Sequence, residues 1–178
     1  MLRALEDSDS SVLYEWFQQE WFRTLVGYRY PSSRRMWAQW VTSNEQISFG
    51  GAVLMICSID DMRPIGLGTL RNQNPEDRAA EFSIALGDVG QHHHGLGTEA
   101  GVLLGRFGFE VMGLRRMYSW VLTQNIAAIA ACEAIGAVRE GIARKARLVN
   151  GIPADVALYA LLAEEFAELF GSAAHQTI

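Results

Sequence analysis

The sequence lacks most of what would set it apart from ordinary globular chains. Four prolines and 17 glycines in 178 residues fall below the level of low-complexity proteins, and 10% aromatic content is too rich for a disordered one. No unbroken apolar stretch approaches the ~20 residues that a membrane-spanning helix needs, so no membrane partner is expected. The opening Met1-Leu2-Arg3-Ala4-Leu5-Glu6 has neither the apolar core nor the small-residue cleavage site of a signal peptide, and a cytoplasmic location is the expectation. A basic excess is missing too. Fifteen Lys plus Arg stand against twenty Asp plus Glu, a formal net charge of -5, which argues against a nucleic-acid partner because phosphate backbones are bound by basic patches. There are two cysteines, Cys57 and Cys132, both inside apolar segments, where buried free thiols are commoner than a bridge.

What is present is apolar material, 49% of the chain, enough for one well-buried domain spanning residues 1–178. Arg3 to Glu6 reads as a short strand, and Asp7 to Ser10 supplies cap chemistry for a helix to about Glu20. A second helix begins after Pro31 with Ser32 or Ser33 as its cap. The segment Trp16 to Trp40 is dense in aromatics, which serve a core more often than a ligand wall. Ala52 to Ile59 and Ile65 to Arg71 read as a hairpin, followed by a strand over Ala79 to Gly87. From Thr98 the apolar positions Ala100, Leu103, Leu104, Phe107 and Val111 recur at helical spacing, with Gly113 placed to stop the helix. A strand over Arg116 to Thr123 and a helix capped by Asn125 follow. Ala137 to Leu161 then forms a hairpin around Asn150-Gly151, and Ala163 to Phe170 closes as a helix. Gly97, Gly101, Gly105 and Gly108 fall along one stripe of the long helix. Each interior glycine costs roughly 1 kcal/mol against alanine, which suggests close approach of another element.

The most informative stretch runs from Ala80-Glu81-Phe82 through Gln91-His92-His93-His94-Gly95-Leu96-Gly97-Thr98-Glu99-Ala100. A strand enters a glycine-containing loop that opens a helix, so backbone N–H groups from His93 to Thr98 can converge on an anion at the positive end of the helix dipole. Gly95-x-Gly97-x-x-Ala100 fits the dinucleotide fingerprint formally, but the acidic residue required at the end of the next strand is missing, where Thr123-Gln124-Asn125 stands instead. No Gly-Lys-Ser/Thr follows, which excludes a Walker loop. The histidine triplet is not read as a metal site, because consecutive side chains diverge and no carboxylate or cysteine cluster accompanies them.

These residues resemble a family. Gly95-Leu96-Gly97-Thr98-Glu99-Ala100 after the Ala80-Glu81-Phe82 strand, then Asn125-Ile126-Ala127-Ala128-Ile129 and Glu133-Ala134-Ile135-Gly136-Ala137-Val138-Arg139-Glu140-Gly141, look like the GNAT acetyltransferase superfamily. Within it they are most similar to the Rim-type branch of ribosomal-protein N-terminal acetyltransferases. The resemblance implies an α+β fold, a mixed and mostly antiparallel sheet of about seven strands flanked by helices and splayed between the fourth and fifth. It implies acetyl-CoA as co-substrate, with the amides of His93, His94, Gly95, Leu96, Gly97 and Thr98 on the pyrophosphate, the backbone near Leu86 on pantetheine, and Asn125 against the cofactor. Glu81 matches a family acid that acts as a base through water. Tyr28 and Trp37 fall in the segment that lines the acceptor pocket. The family loop usually carries Gln, Arg or Trp where this chain has His92, and a glycine and a basic residue in place of His93 and His94. Many members also place a tyrosine, the proton donor, where this chain has Cys132, which leaves Tyr118, Tyr159 or water for that role.

The reading is an N-acetyltransferase in which a primary amine attacks the thioester directly in a ternary complex, the acceptor being a protein N-terminus or a small amine. The alternatives are a polyamine, amino-sugar or antibiotic N-acetyltransferase, or a CoA-binding module without catalysis. The sequence leaves a homodimer open.

Overall fold

The computed structural model describes residues 1–88 and 95–171. Its scaffold is a seven-stranded sheet in the order β1-β2-β3-β4-β5-β7-β6. The strands are β1 (Leu2–Ala4), β2 (Ala52–Cys57), β3 (Pro64–Asn74), β4 (Ala79–Leu86), β5 (Arg116–Leu122), β6 (Val138–Val149) and β7 (Ile152–Leu162). Every neighbouring pair is antiparallel except β4 and β5, which run parallel. That parallel pair is short: it joins Ala79 to Arg116, Ala80 to Met117 and Glu81 to Tyr118. Beyond Glu81 the two strands diverge, so the sheet is splayed between its fourth and fifth strands as the resemblance implies.

Helices α1 (Asp9–Gln18), α2 (Glu20–Val26) and α3 (Arg34–Asn44) cover one face of the first arm. Their core is aromatic, with Trp16, Phe17, Phe22 and Trp37 packed against Val53, Met55 and Leu67 of the sheet. Ser33 caps α3, its Oγ accepting from Met36 N at 3.1 Å. The break between α1 and α2, unmarked in the sequence, falls at Gln19, which is extended (φ -76, ψ 124). On the other face, α4 (Leu96–Arg106), α5 (Ile126–Ala134) and α6 (Ala163–Phe170) enclose Leu70, Phe82, Leu104, Met117, Ile135 and Phe166. A π-helical turn over Phe107–Val111 extends α4.

The glycine stripe on α4 is a close-approach surface. A Cβ at Gly101 would lie 3.0 Å from Ile135, and one at Gly105 only 2.6 Å from the Phe166 ring. These two positions let α4 nest against α5 and α6, whereas at Gly97 the nearest atom, Ala131 Cβ, would be 3.9 Å away. The β6–β7 hairpin turns at Asn150 and Gly151 with φ of 49° and 81°, the left-handed pair that the Asn-Gly signal implies. No helix among the described residues is long and apolar enough to cross a membrane.

Candidate active site

Side-chain alternation assigns each residue of the splay to a face. Ala80 and Phe82 of β4, with Met117 and Val121 of β5, belong to the core under α4, α5 and α6. The intervening residues therefore point to the opposite face: Glu81, Ser83 and Ala85 on β4, Tyr118, Trp120 and Leu122 on β5. Ala85 packs with the aromatic core of α1 to α3, which fixes that face independently. Glu81 and Tyr118 are register partners at the last rung before the strands separate, so a carboxylate and a phenol stand side by side at the vertex.

Glu81 is half-buried, and Asn72 Nδ2 donates to its Oε2 at 2.7 Å. Arg71 Nη2 is 3.8 Å from Oε1. Two residues along the same face, the hydroxyls of Ser83 and Thr69 are 2.8 Å apart. Together they form a polar strip leading from the vertex along β4. Past Glu81 the ladder to β5 ends, so the later part of β4 is no longer paired with β5. Where β4 ends, Gly87 is pressed against the Trp16 indole, and a Cβ there would lie 2.1 Å from Cδ2. Trp16 thereby ties α1 to the end of the strand.

Gly95 caps α4 in the left-handed conformation (φ 76), and a Cβ built on it meets no atom of the described residues within 4 Å. The first helical bond of this turn is Glu99 N to Gly95 O at 3.0 Å. The amides of Leu96, Gly97 and Thr98 thus precede the ladder, at the positive end of the helix. Amides at the positive end of a helix are the local chemistry that can hold an anionic group. His93 and His94, expected in the same loop, lie outside the described residues. Asn125 is committed in part elsewhere: its Oδ1 accepts from Ala128 N at 3.1 Å and caps α5, so its carboxamide is a structural element of the β5–α5 junction.

The remaining expected residues separate. Trp37, expected in the acceptor wall, is only 3% exposed, its ring centroid 4.1 Å from that of Phe17 and its Nε1 donating to Ser32 Oγ at 2.8 Å. It belongs to the helical core, because packing against Phe17 and Trp40 leaves it no surface to present. Tyr28 is half-buried against the same cluster, with its hydroxyl 3.4 Å from Met36 Sδ. Of the tyrosines considered as proton donors, Tyr159 faces the opposite core, where it is 1% exposed and donates to Glu133 Oε1 at 3.0 Å. Burial first, and then that hydrogen bond, push its ionisation up. Tyr118 alone shares the face of Glu81. Trp120, 42% exposed one pleat beyond Tyr118, went unnoticed in the sequence. Its parity with Tyr118 was the signal that could have found it.

Cys132 is buried beside Ile135 and Phe166, and burial pushes its thiol up to about 11. Cys57 is raised for the same principal reason. Native protein at pH 8 should therefore resist a thiol reagent such as a disulfide dye, since thiolate is the reactive form. Both should react once urea unfolds the chain. Rapid stoichiometric labelling of the native state would contradict the packing.

A basic segment bridges the two arms. Residues 21–35 contain Arg23, Arg29, Arg34 and Arg35 and no acid. Arg29 Nη2 donates to Leu148 O at 2.9 Å, and a Cβ at Gly27 would lie 3.5 Å from Arg147 Nη1, so the α2–α3 loop rests on the β6–β7 hairpin. Arg34 stacks 4.3 Å above the Tyr14 ring. Among the described residues no group of three or more His, Cys, Asp or Glu side chains is arranged to hold a metal ion.

The family model for the acetyltransferase (GNAT) domain matches residues 1–138. The chain belongs to the GNAT acetyltransferase family. No curated protein matches it in sequence. Among solved structures it resembles the spermidine N-acetyltransferase from Vibrio cholerae in complex with CoA and spermine. The TM-score is 0.85 and the identity 21%, over 93% of this chain and 96% of that one. A GNAT-family acetyltransferase from Bacillus anthracis matches with a TM-score of 0.79 and 19% identity, over 92% and 94% of the two chains. A chimera built on the spermidine N-acetyltransferase from Vibrio cholerae matches at 0.81 and 21%, again over 93% and 96%. At these identities the likeness establishes the GNAT fold, and with it the splayed sheet described above.

Proposed function

We propose that this acetyltransferase moves the acetyl group of acetyl-CoA to a primary amine by direct attack, and that the acceptor is a polyamine. The observation that carries the transfer chemistry is the vertex of the splay, where Glu81 and Tyr118 stand side by side on the acceptor-facing side while the gap leads to the N-terminus of α4. The polyamine acceptor is supported by the resemblance to a spermidine N-acetyltransferase solved with spermine, and displaces the Rim-type, protein-directed reading as the first choice.

Each residue has a defined task in this reading. Acetyl-CoA supplies the activated acyl group and a thiolate leaving group. The amides of Leu96, Gly97 and Thr98 hold its pyrophosphate, joined by those of His93, His94 and Gly95, and the end of β4 near Leu86 aligns pantetheine. Asn125 shapes the opposite lip by fixing the start of α5. An ammonium group of pKa ~10 is mostly charged at pH 7, so Glu81 takes its proton, directly or through a water, before the nitrogen attacks the acyl carbon. Tyr118, the register partner of Glu81, delivers a proton to the departing sulfur. Cys132 is packing, and water is the alternative donor.

A second reading rests on charge. The basic α2–α3 loop lies some four residues farther along the β5–β7 arm than Trp120, ~13 Å at the strand rise. An acceptor with an amine at one end and an anionic portion farther along, such as an acidic peptide N-terminus, suits that end of the cleft. Turnover of acetyl-CoA against spermidine, monoamines, amino sugars and acidic and neutral N-terminal peptides, read as thiol release, decides between them. Spermidine is expected to give the highest kcat/KM. Preference for the acidic peptide would transfer the proposal to the second reading.

Acetyl-CoA should also raise the melting temperature, since a ligand bound only to the folded state adds about 2.7 kcal/mol at a hundredfold excess over Kd, and NAD should not. Stabilisation without turnover on any amine would leave a CoA-binding module.

A further inference from the structure

We propose that Trp120 is the platform for the acceptor's second ammonium and so sets the preference for polyamines over monoamines. The inference rests on the polyamine reading and names the residue that would enforce it. Trp120 is a large apolar side chain left 42% exposed on a central strand whose neighbours Ser119 and Val121 are buried. Alternation places it on the face of Tyr118, and register pairs it with Leu158 on β7. Its other flank borders the gap, because β4 has already diverged. An exposed indole in that position is available to whatever occupies that side of the splay, and of the aromatic rings tryptophan binds a cation best.

Spacing makes the assignment specific. Tyr118 is the register partner of Glu81, and Trp120 is two residues farther along β5, ~6.6 Å at the strand rise. Two amines separated by three or four methylenes are about 5 to 6 Å apart when extended, from bonds of ~1.5 Å. With the reacting nitrogen at Glu81, the next nitrogen of a diamine or polyamine therefore reaches the Trp120 ring. Glu81 discharges the first nitrogen, and the second stays protonated over the indole. A monoamine of the same length would place only a methyl group there.

The test compares wild type, Trp120→Ala, Trp120→Leu and Trp120→Phe with spermidine, 1,3-diaminopropane and butylamine at saturating acetyl-CoA. Trp120→Ala and Trp120→Leu should raise KM for spermidine and the diamine roughly tenfold, the scale of a partly desolvated cation–π contact. KM for butylamine and for acetyl-CoA should stay within twofold, and Trp120→Phe should recover most of the loss. Trp120→Leu retains apolar bulk without a π-face, so it gives the answer even where the alanine variant folds poorly. An equal rise for butylamine, or no rise for any amine, would overturn the role of Trp120. Loss of activity toward all amines together with a smaller particle in light scattering would overturn it in favour of a contact between copies of the chain. Failure of the polyamine reading is separately visible, as a wild-type enzyme whose kcat/KM for spermidine does not exceed that for butylamine.

Discussion

Replacing Glu81 by glutamine is expected to lower kcat roughly 10²- to 10⁴-fold, the usual range for loss of a general base, while KM for acetyl-CoA changes little. The substitution is close to isosteric, and a glutamine Oε1 can still accept from Asn72, whose Nδ2 is now 2.7 Å from the carboxylate. The structural part of the side chain's work is thereby preserved. What disappears, on the proposed function, is the capacity to take a proton from the acceptor's ammonium. The deficit should shrink as pH rises toward the acceptor's own pKa, because a growing fraction of the amine then arrives neutral. Near-normal kcat from pH 6 to 9 would make Glu81 a strand carboxylate serving Asn72 and Arg71, and would move the base elsewhere on the acceptor face. Melting curves with and without acetyl-CoA belong beside the rates, since Glu81 is half-buried and also holds Asn72 at 2.7 Å and faces Arg71 at 3.8 Å.

The topology was legible because local signals and global layout agree. The Asn150-Gly151 turn, the Ser33 and Asn125 caps and the Gly113 stop all act where the sequence places them. Gly113 has a φ of 67°, as a glycine stop requires. The helix α2 was missed because nothing in the sequence separates it from α1: the break is a single extended residue, Gln19, with no side-chain cap. The acceptor wall was misjudged at Trp37 for a different reason. Helical periodicity tells which residues share a face, but not whether that face meets the sheet or the cleft, and packing on Phe17 took Trp37 inside. Trp120 escaped for the converse reason. A tryptophan inside a strand reads as core until the sheet's two layers are assigned, and only the end of the β4–β5 ladder at Glu81 shows that its face is open. The start of α4 was legible at Gly95, whose left-handed φ of 76° makes it the cap of the helix, while its role toward a cofactor belongs to the proposal; His92 to His94 fall outside the described residues.

Removal of the Asp9 carboxylate should be the most damaging change away from the cleft. Asp9 is 2% exposed at the start of α1, and its two oxygens accept from Arg3 Nη1 and Nη2, both at 2.7 Å. The Oδ2 atom also accepts from Glu6 N at 2.8 Å, while Asp9 N donates to Glu6 O at 2.9 Å. This bidentate pair pins α1 to β1, and the hydrogen bond from Arg3 is the main cause of that guanidinium's raised pKa. In Asp9→Ala the Arg3 side chain, only 18% exposed, keeps its charge and loses its carboxylate, with the Ala4 carbonyl at 2.9 Å left to it. Breaking such a pair from one side costs about 3 to 5 kcal/mol, against a typical total of about 5 to 15. Urea unfolding should show a lower midpoint at unchanged slope, and pairing Asp9→Leu with Arg3→Met should recover much of the loss, since no unpaired charge then remains. Because α1 covers the face assigned to the acceptor in the proposed function and Trp16 abuts Gly87 at the end of β4, the residual activity of Asp9→Ala should show a raised acceptor KM before any change in acetyl-CoA KM. A loss of stability below 1 kcal/mol would mean that Arg3 finds another partner, and that α1 is held by its aromatic face alone.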